Sequence, residues 1–344
     1  MQSTTIAVDL AKSVFQIAVS HQPGRVAETH RLTRSQFLRF FAERKPALVL
    51  LEACGTSHFW ARQLQALDHQ VLLLPPHQIR PYVRGNKTDQ ADAKALLEAH
   101  RNAEIRCVPV KSVGQQTLAA LHRLRSAWMA DRTARINLVR GILRELGFPI
   151  AVGARHVIPR ALALLAEPDA LPEPLRLVLA EACQEIRDFE RRVLGVEKQL
   201  RALAAQLPVV ERLQSIPGVG LLTATALVAF VGGVLRFPTG RHFASYLGLT
   251  PREHSSGLRR RLGSISKRGD PYLRMLLIHG ARAALFAARR LKQPDRLRTW
   301  ALVVEKRRGH NKTAVALANK LARIVWAVWR RDVAFESRAA LAAA

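Results

Sequence analysis

The sequence predicts an α/β domain over residues 1–111 followed by all-α structure, and three patterns carry that prediction. Short apolar or alternating runs punctuate the first hundred residues, among them TIAVDL, VFQIAVS, ALVLLEA and QVLLLP. Stretches rich in Leu, Ala, Arg and Glu, with helical periodicity and few Gly or Pro, then occupy 112–148 and 171–206. Alternation fits a pleated strand, and recurrence every three to four residues fits a helix. Finally, 49% of the 344 residues are hydrophobic, enough to build real cores in two or three domains.

The elements follow in order. Residues 4–9 and 14–20 read as strands, and 25–32 alternates like a third. Residues 34–44 look helical, with Ser35 as the candidate cap. The run 47–53 is short and continuously apolar, the mark of a strand buried on both faces. A helix over 57–68 and a strand over 70–75 come next. Three strands thus form a meander and two more each follow a helix. Right-handed crossovers would place the fourth strand parallel to the first, an order that fits a ribonuclease-H-like domain.

Two long helices beyond residue 112 suggest a helical hairpin or coiled coil over 112–208. It would be a dimerisation device or a solvated pair within one chain. Pro149, Pro159, Pro168, Pro172 and Pro174 make 149–174 a turn region or short helix. From 209 to 335 the chain is again mostly α. The stretch LQSIPGVGLLTATALVAFVG (213–232) reads as a helix-hairpin-helix. Its Pro217-Gly218-Val219-Gly220 turn either offers amides to a phosphate at a helix N-terminus or is purely structural. Residues 310–329 read as an amphipathic helix with Trp326 and Trp329 in the core. The Ala-rich tail, 336–344, is expected to be disordered.

Charge narrows the function. Lys and Arg number 54 against 26 acids, a net charge of +28. An excess of that size points to a polyanion, nucleic acid above all, unless the source proteome is itself basic. The Arg/Lys-rich helices at 122–144 and 296–331 are then candidate backbone contacts or simply solvated faces. Cys54, Cys107 and Cys183 are far apart with no CxxC pair, which argues against a disulfide framework and a structural zinc site. The N-terminus lacks a basic start followed by an apolar core, so no signal peptide is expected. The longest uncharged run, 221–235, is too short to span a membrane. A cytoplasmic protein with no membrane partner is expected.

Four carboxylates stand out. Asp9 closes the first strand and Glu52 the fourth, so both fall at one sheet edge, where α/β sites form. Each ends an apolar run. Asp89 and Asp92, in NKTDQADAKALLEAH, share a helix face by their spacing of three. A bland role exists for each: a turn for Asp9, a cap or dipole partner for Asp89. Brought together, however, the four would repel; one pair about 4 Å apart costs about 4 kcal/mol at an effective dielectric of about 20. Such a cluster calls for divalent cations, and oxygen ligands favour Mg²⁺ or Mn²⁺.

The second constellation is REHSSGLRRRLGSISKRGDPYLR (252–274). Arg252, Arg259, Arg260, Arg261, Lys267 and Arg268 precede Gly269, and Glu253 is the one acid among them. Gly257, Gly263 and Gly269 make the stretch loop-like or β-like. A serine hydroxyl becomes a nucleophile only with deprotonation or a strongly cationic setting, and arginines stabilise charge building on phosphorus. A Ser-Gly pair beside three arginines suits attack on a DNA phosphodiester; on its own it equally reads as a DNA-contact loop.

The ordered motifs AVDLAK, LLEACG, NKTDQADA, SIPGVG, FASYLGLTPREHSSG and SISKRGDPYLRMLL are similar to those of the Asp-Glu-Asp-Asp (DEDD) insertion-sequence transposases, over most of the chain. That resemblance implies a RuvC-like N-terminal domain whose acidic positions match Asp9, Glu52, Asp89 and Asp92. It implies a C-terminal serine transposase domain whose nucleophile precedes a glycine, which maps to Ser256 with Ser255 as its neighbour. It further implies a homo-oligomer, dimer or tetramer, with a composite site between subunits, and an element-encoded guide RNA pairing with donor and target DNA. In such systems base pairing reads sequence while protein holds backbones. The expected activity is RNA-guided DNA transposition and recombination in a bacterial cytosol, near the nucleoid. Two alternatives stay open: a junction-resolving endonuclease using metal-activated water, and a non-catalytic nucleic-acid-binding regulator.

Overall fold

Period-two alternation sorts the first of two compact units, residues 1–114, onto the two faces of one sheet. The computed structural model describes residues 4–83 and 88–336; the side chains of Asp89 and Gln90, part of the NKTDQADA motif (Asn86, Lys87) and the tail 337–344 lie outside that description. Strands β1 (Thr5–Leu10), β2 (Val14–Ser20) and β3 (Glu28–Thr33) form the antiparallel meander. Then β4 (Leu48–Glu52) pairs parallel to β1, and β5 (Gln70–Leu74) pairs parallel to β4. The order is β3-β2-β1-β4-β5, as the crossover argument expects of a ribonuclease-H-like sheet.

Two helical layers cover it. Helices α1 (Arg34–Ala42) and α2 (Ser57–Gln65) bring Phe37, Phe41 and Trp60 against Ile6, Val8, Val49 and Leu51. After the short α3 (Pro76–Ile79), α4 (Asp89–His100) brings Ala95, Leu96 and Ala99 against Ala7, Leu50 and Leu74 on the opposite face. Val49, Leu50 and Leu51 are fully buried, as a strand sandwiched between helices requires. Two expectations shift. The third strand starts at Glu28 rather than 25, because Arg25 N–H turns back to the Gln22 carbonyl and spends those residues on the turn. Thr33, not Ser35, caps α1: it is the last extended residue, and Gln36 Oε1 accepts from its N–H at 3.0 Å.

The second unit, residues 115–344, is mostly helical among its described residues, with one hairpin. Helix α5 (Val113–Glu145), α6 (Val157–Ala166) and α7 (Glu173–Ala204) form a long antiparallel arm. Arg125 pairs with Glu197 at 2.7 Å and Arg132 with Glu190 at 2.5 Å, so seven residues forward on α5 match seven back on α7. The end of the arm is closed by Val139, Leu143, Val157, Leu164 and Ile186. Then come α8 (Pro208–Gln214), α9 (Leu221–Val231) and α10 (Gly240–Tyr246). The hairpin of β6 (Pro251–Glu253) and β7 (Leu262–Ile265) precedes α11 (Pro271–Ala288), α12 (Arg296–Arg308) and α13 (His310–Arg331). Helix α9 is buried almost all round, as its uninterrupted apolar sequence demands. Trp326 and Trp329 pack against the same core, with Trp326 Nε1–H donating to the Phe237 carbonyl. Among the described residues no helix is long and apolar enough to cross a membrane.

Candidate active site

In the first unit the alternation that builds the core also aims the acids. Ala7 and Leu50 face α4; two residues further along each strand, Asp9 and Glu52 fall on that same face. Val8 is level with Leu51 in the parallel pair, so Asp9 and Glu52 come next, side by side, at the C-terminal edge. Both are half-buried.

The direction of α4 follows from its far end. Glu98 and Arg101 lie against Gly24 in the β2–β3 turn. That turn follows Ser20, the partner of Thr5 at the start of β1. Helix α4 therefore runs antiparallel to β1. Twelve helical residues span about 18 Å and six strand residues about 20 Å, so its N-terminus reaches the edge where β1 and β4 end. Thr88 caps that N-terminus, accepting from Ala91 N–H at 3.2 Å. Asp89 opens the helix, and Asp92 is one turn before Ala95 and Leu96 on the sheet-facing side. Among the described residues no three His, Cys, Asp or Glu side chains converge as a metal cluster. The donor set nonetheless fits a hard cation: oxygen ligands only, two from adjacent strands and the helix start brought to the same edge.

In the second unit, Ser256 sits at the tip of the β6–β7 hairpin. Its N–H donates to the Arg259 carbonyl and Arg259 N–H donates back, closing a four-residue turn with Gly257 at φ +54°. The two serines differ. Ser255 Oγ donates to Glu253 Oε1 at 2.7 Å and accepts from Arg261 N–H at 3.1 Å, pinning one strand to the other. Ser256 is exposed, and its hydroxyl makes no hydrogen bond among the described residues. Arg259, Arg260 and Arg261, three to five residues further along the same hairpin, are exposed too, Arg260 reaching Glu253 at 3.3 Å.

The hairpin is held at its base by backbone interlock. Lys267 N–H donates to the Gly248 carbonyl and Ser266 N–H to the Thr250 carbonyl. A Cβ on Gly248 would fall 2.0 Å from the Arg268 carbonyl oxygen, and one on Gly269 2.0 Å from that of Tyr246. Lys267 and Arg268 thus belong to the base, whereas Arg252 lies on the first strand, its guanidinium donating to the Ser266 carbonyl.

The glycine turn divides in the same way. Gly218, at φ +89°, packs on Gly280 of α11: a Cβ on Gly218 would meet the Gly280 carbonyl oxygen at 2.6 Å. Gly220 is exposed, and a Cβ there would meet nothing.

Comparison with known proteins settles the family. A model described as "Transposase", the DEDD type of the IS110 group, matches residues 6–148, which include all four carboxylates. A second, described as "Transposase IS116/IS110/IS902 family", matches 210–296, which includes the glycine turn and the serine hairpin. The chain is 42% identical to the probable family 20 transposase of Pseudomonas aeruginosa over 97% of its length and 99% of that protein's. It is 39% identical to the transposase for insertion sequence element IS1111A of Coxiella burnetii, over 95% and 90%. Similarity to the transposase for insertion sequence element IS1328 of Yersinia enterocolitica is 35%, over 96% and 98%. The chain belongs to the IS110/IS116 family of DEDD transposases.

One feature of this transposase escapes sequence reasoning. His122 of α5 is fully buried, 3.0 Å from the Tyr272 hydroxyl and 3.0 Å from Thr225 Oγ1. The Thr225 hydrogen is spent on the Leu221 carbonyl, so His122 Nε2–H donates to Thr225 and Nδ1 accepts from Tyr272. Burial, with Arg125 nearby, pushes the His122 pKa down to about 4. Tyr272 lies two residues after Asp270, at the start of α11 just past the hairpin base, so this neutral imidazole fixes α5 to the root of the hairpin. A lone His in a basic helix gives no signal of that role.

Proposed function

We propose that this transposase cuts and rejoins DNA through Ser256, with Asp9, Glu52, Asp89 and Asp92 holding Mg²⁺ or Mn²⁺. The observation that carries the reading is the division of labour between adjacent serines. Ser255 spends its hydroxyl on the turn, while Ser256 presents an exposed hydroxyl in a hairpin whose Arg259, Arg260 and Arg261 are exposed as well. In the first step Ser256 Oγ attacks phosphorus, its proton passes to solvent or a base, and the P–O bond to one DNA oxygen breaks; that oxygen leaves and is protonated. A phosphoserine ester conserves the bond energy. In the second step a DNA hydroxyl attacks the same phosphorus, loses its proton, and Ser256 Oγ leaves and regains one. The arginines stabilise negative charge on phosphorus in both steps. A bound divalent ion would supply Lewis-acid charge to the scissile phosphate.

The element-encoded guide RNA belongs to this proposal through charge alone: a net +28 suits a protein that holds several backbones at once. The homo-oligomer, dimer or tetramer, belongs to it through the apolar side chains left exposed on the arm, Leu138, Leu177 and Leu194 among them.

The test is to trap the covalent protein–DNA adduct and map it by mass spectrometry. Ser256→Ala is expected to abolish the adduct. Ser255→Ala removes two hydrogen bonds of the turn and should lower its yield by roughly three- to tenfold, the effect of about 1 kcal/mol. An adduct on Ser255, or cleavage surviving in Ser256→Ala without any adduct, would replace this reading with the off-by-one serine or with metal-activated water.

A further inference from the structure

Three hollows of the second unit open side by side along α13. One, of about 500 Å³, lies against Arg241 and Arg323. The next, of about 570 Å³, lies between Trp300 and the hairpin base, where Pro251 and Ile265 are cross-strand partners. The third, of about 410 Å³, lies at the N-terminus of α12 beside Arg296. Lys320 lines all three, so they form one groove running from the root of the serine hairpin along α13.

The groove carries unbalanced charge. Lys320 sits with Nζ 3.9 Å from the Trp300 ring centroid, its stem half-buried. Burial, with Arg296 and then Arg323 alongside, pulls its pKa below the usual lysine value. Two acids line the third hollow, fewer than the cations along the groove: Asp295 is committed to Arg298, 2.7 Å from Nη1, and to the N-terminus of α12, and Glu336 lies beside Lys320 and Arg296. Among the described residues none of Lys320, Arg296 and Arg323 has an ion-pair partner. Lys312 and Arg241 add two more cations to the walls. Four of the five, Lys320 apart, are exposed along the groove, so an anion with regularly spaced charge laid in it would meet several of them at once. Lys320 covers one face of Trp300, and the ring is partly buried against the helical core, so the contact is assigned to the backbone rather than to a stacked base.

We propose that this groove holds the phosphate backbone of the DNA on which the hairpin acts, without reading its sequence. The assignment to DNA rests on the proposed role of Ser256, because the groove begins under the hairpin that would carry that serine. Binding, however, is measured without chemistry, so the two ideas fail separately.

The experiment measures equilibrium binding of a labelled random-sequence DNA duplex to the full-length protein over a salt series, with RNA of the same sequence in parallel. Lys320→Met, which keeps an unbranched stem over Trp300, and Arg323→Gln are expected to weaken DNA binding in any sequence. Each should lower the slope of log K against log salt by about 1, and the pair should cost roughly tenfold or more at moderate salt. Lys320→Arg should restore binding, separating lost charge from lost packing. Melting temperatures of all variants serve as the folding check. Unchanged DNA affinity and slope in the folded double variant would overturn the proposal, as would a loss confined to RNA. Weakened binding in this variant together with an adduct on a residue other than Ser256 would leave the groove standing and remove the serine assignment.

Discussion

A buried imidazole held neutral by its partners makes stability depend on pH in a defined window. His122 has a folded-state pKa of about 4, below the ordinary value of 6.5. Above pH 6.5 both folded and unfolded chains carry it neutral, and its contribution is fully present. Between 6.5 and 4 the unfolded chain takes up a proton that the folded chain refuses, so stability falls with falling pH. Below 4 both are protonated and the loss levels off. The total is on the order of 3 kcal/mol. His122→Gln should therefore be less stable at neutral pH yet flatter between pH 6.5 and 4, as read by urea unfolding at each pH. Tyr272→Phe should cost about 1–3 kcal/mol, because it strands Nδ1 without its donor. An acid limb of equal steepness in His122→Gln would show that other groups set it.

At the level of elements, the two close-packed segments of the second unit divide the glycines into two kinds. Where α11 crosses the turn between α8 and α9, a Cβ on Gly280 would fall 1.9 Å from the Gly218 carbonyl oxygen, backbone against backbone. Neither chain can yield there without separating α11 from the turn, so Gly280→Ala should destabilise by several kcal/mol. Gly220 is different: at φ −91° with open space around it, alanine fits without strain. If its amide approaches a phosphate, Gly220→Ala should leave the melting temperature within a degree or two while weakening DNA binding several-fold. Equal binding by a folded Gly220→Ala would make the whole motif a structural crossing. The motif spells both glycines alike. What separates them is a helix 62 residues later, invisible to local pattern. The same holds for Ser255 and Ser256, which only the pairing of β6 with β7 tells apart, and for His122, whose partners lie 103 and 150 residues away. By contrast, the positions of Asp9 and Glu52 were legible. An apolar run that ends on an acid fixes both face and edge once the strands are parallel.

Across the whole molecule, binding and chemistry make opposite demands on charge, and that separates them experimentally. A net charge of +28 draws any polyanion, and four carboxylates inside such a chain oppose that attraction. Asp9→Asn or Glu52→Gln each adds one net positive charge, so a role in holding the fold's charge balance, or none at all, predicts DNA affinity equal to or above that of the parent. A role in holding a divalent ion predicts something more specific: affinity kept, adduct formation down about a hundredfold or more, and the same loss in the parent on chelation. Adding Mg²⁺ or Mn²⁺ back should restore the parent and fail to restore Asp9→Asn. Because Asp9 and Glu52 are half-buried beside fully buried Val8 and Leu51, melting curves must accompany the measurement; isosteric amides keep the shape of the site. Were adduct formation to survive both chelation and amide substitution, the carboxylates would have no part in the covalent step. The hairpin serine and its arginines would then have to carry it alone.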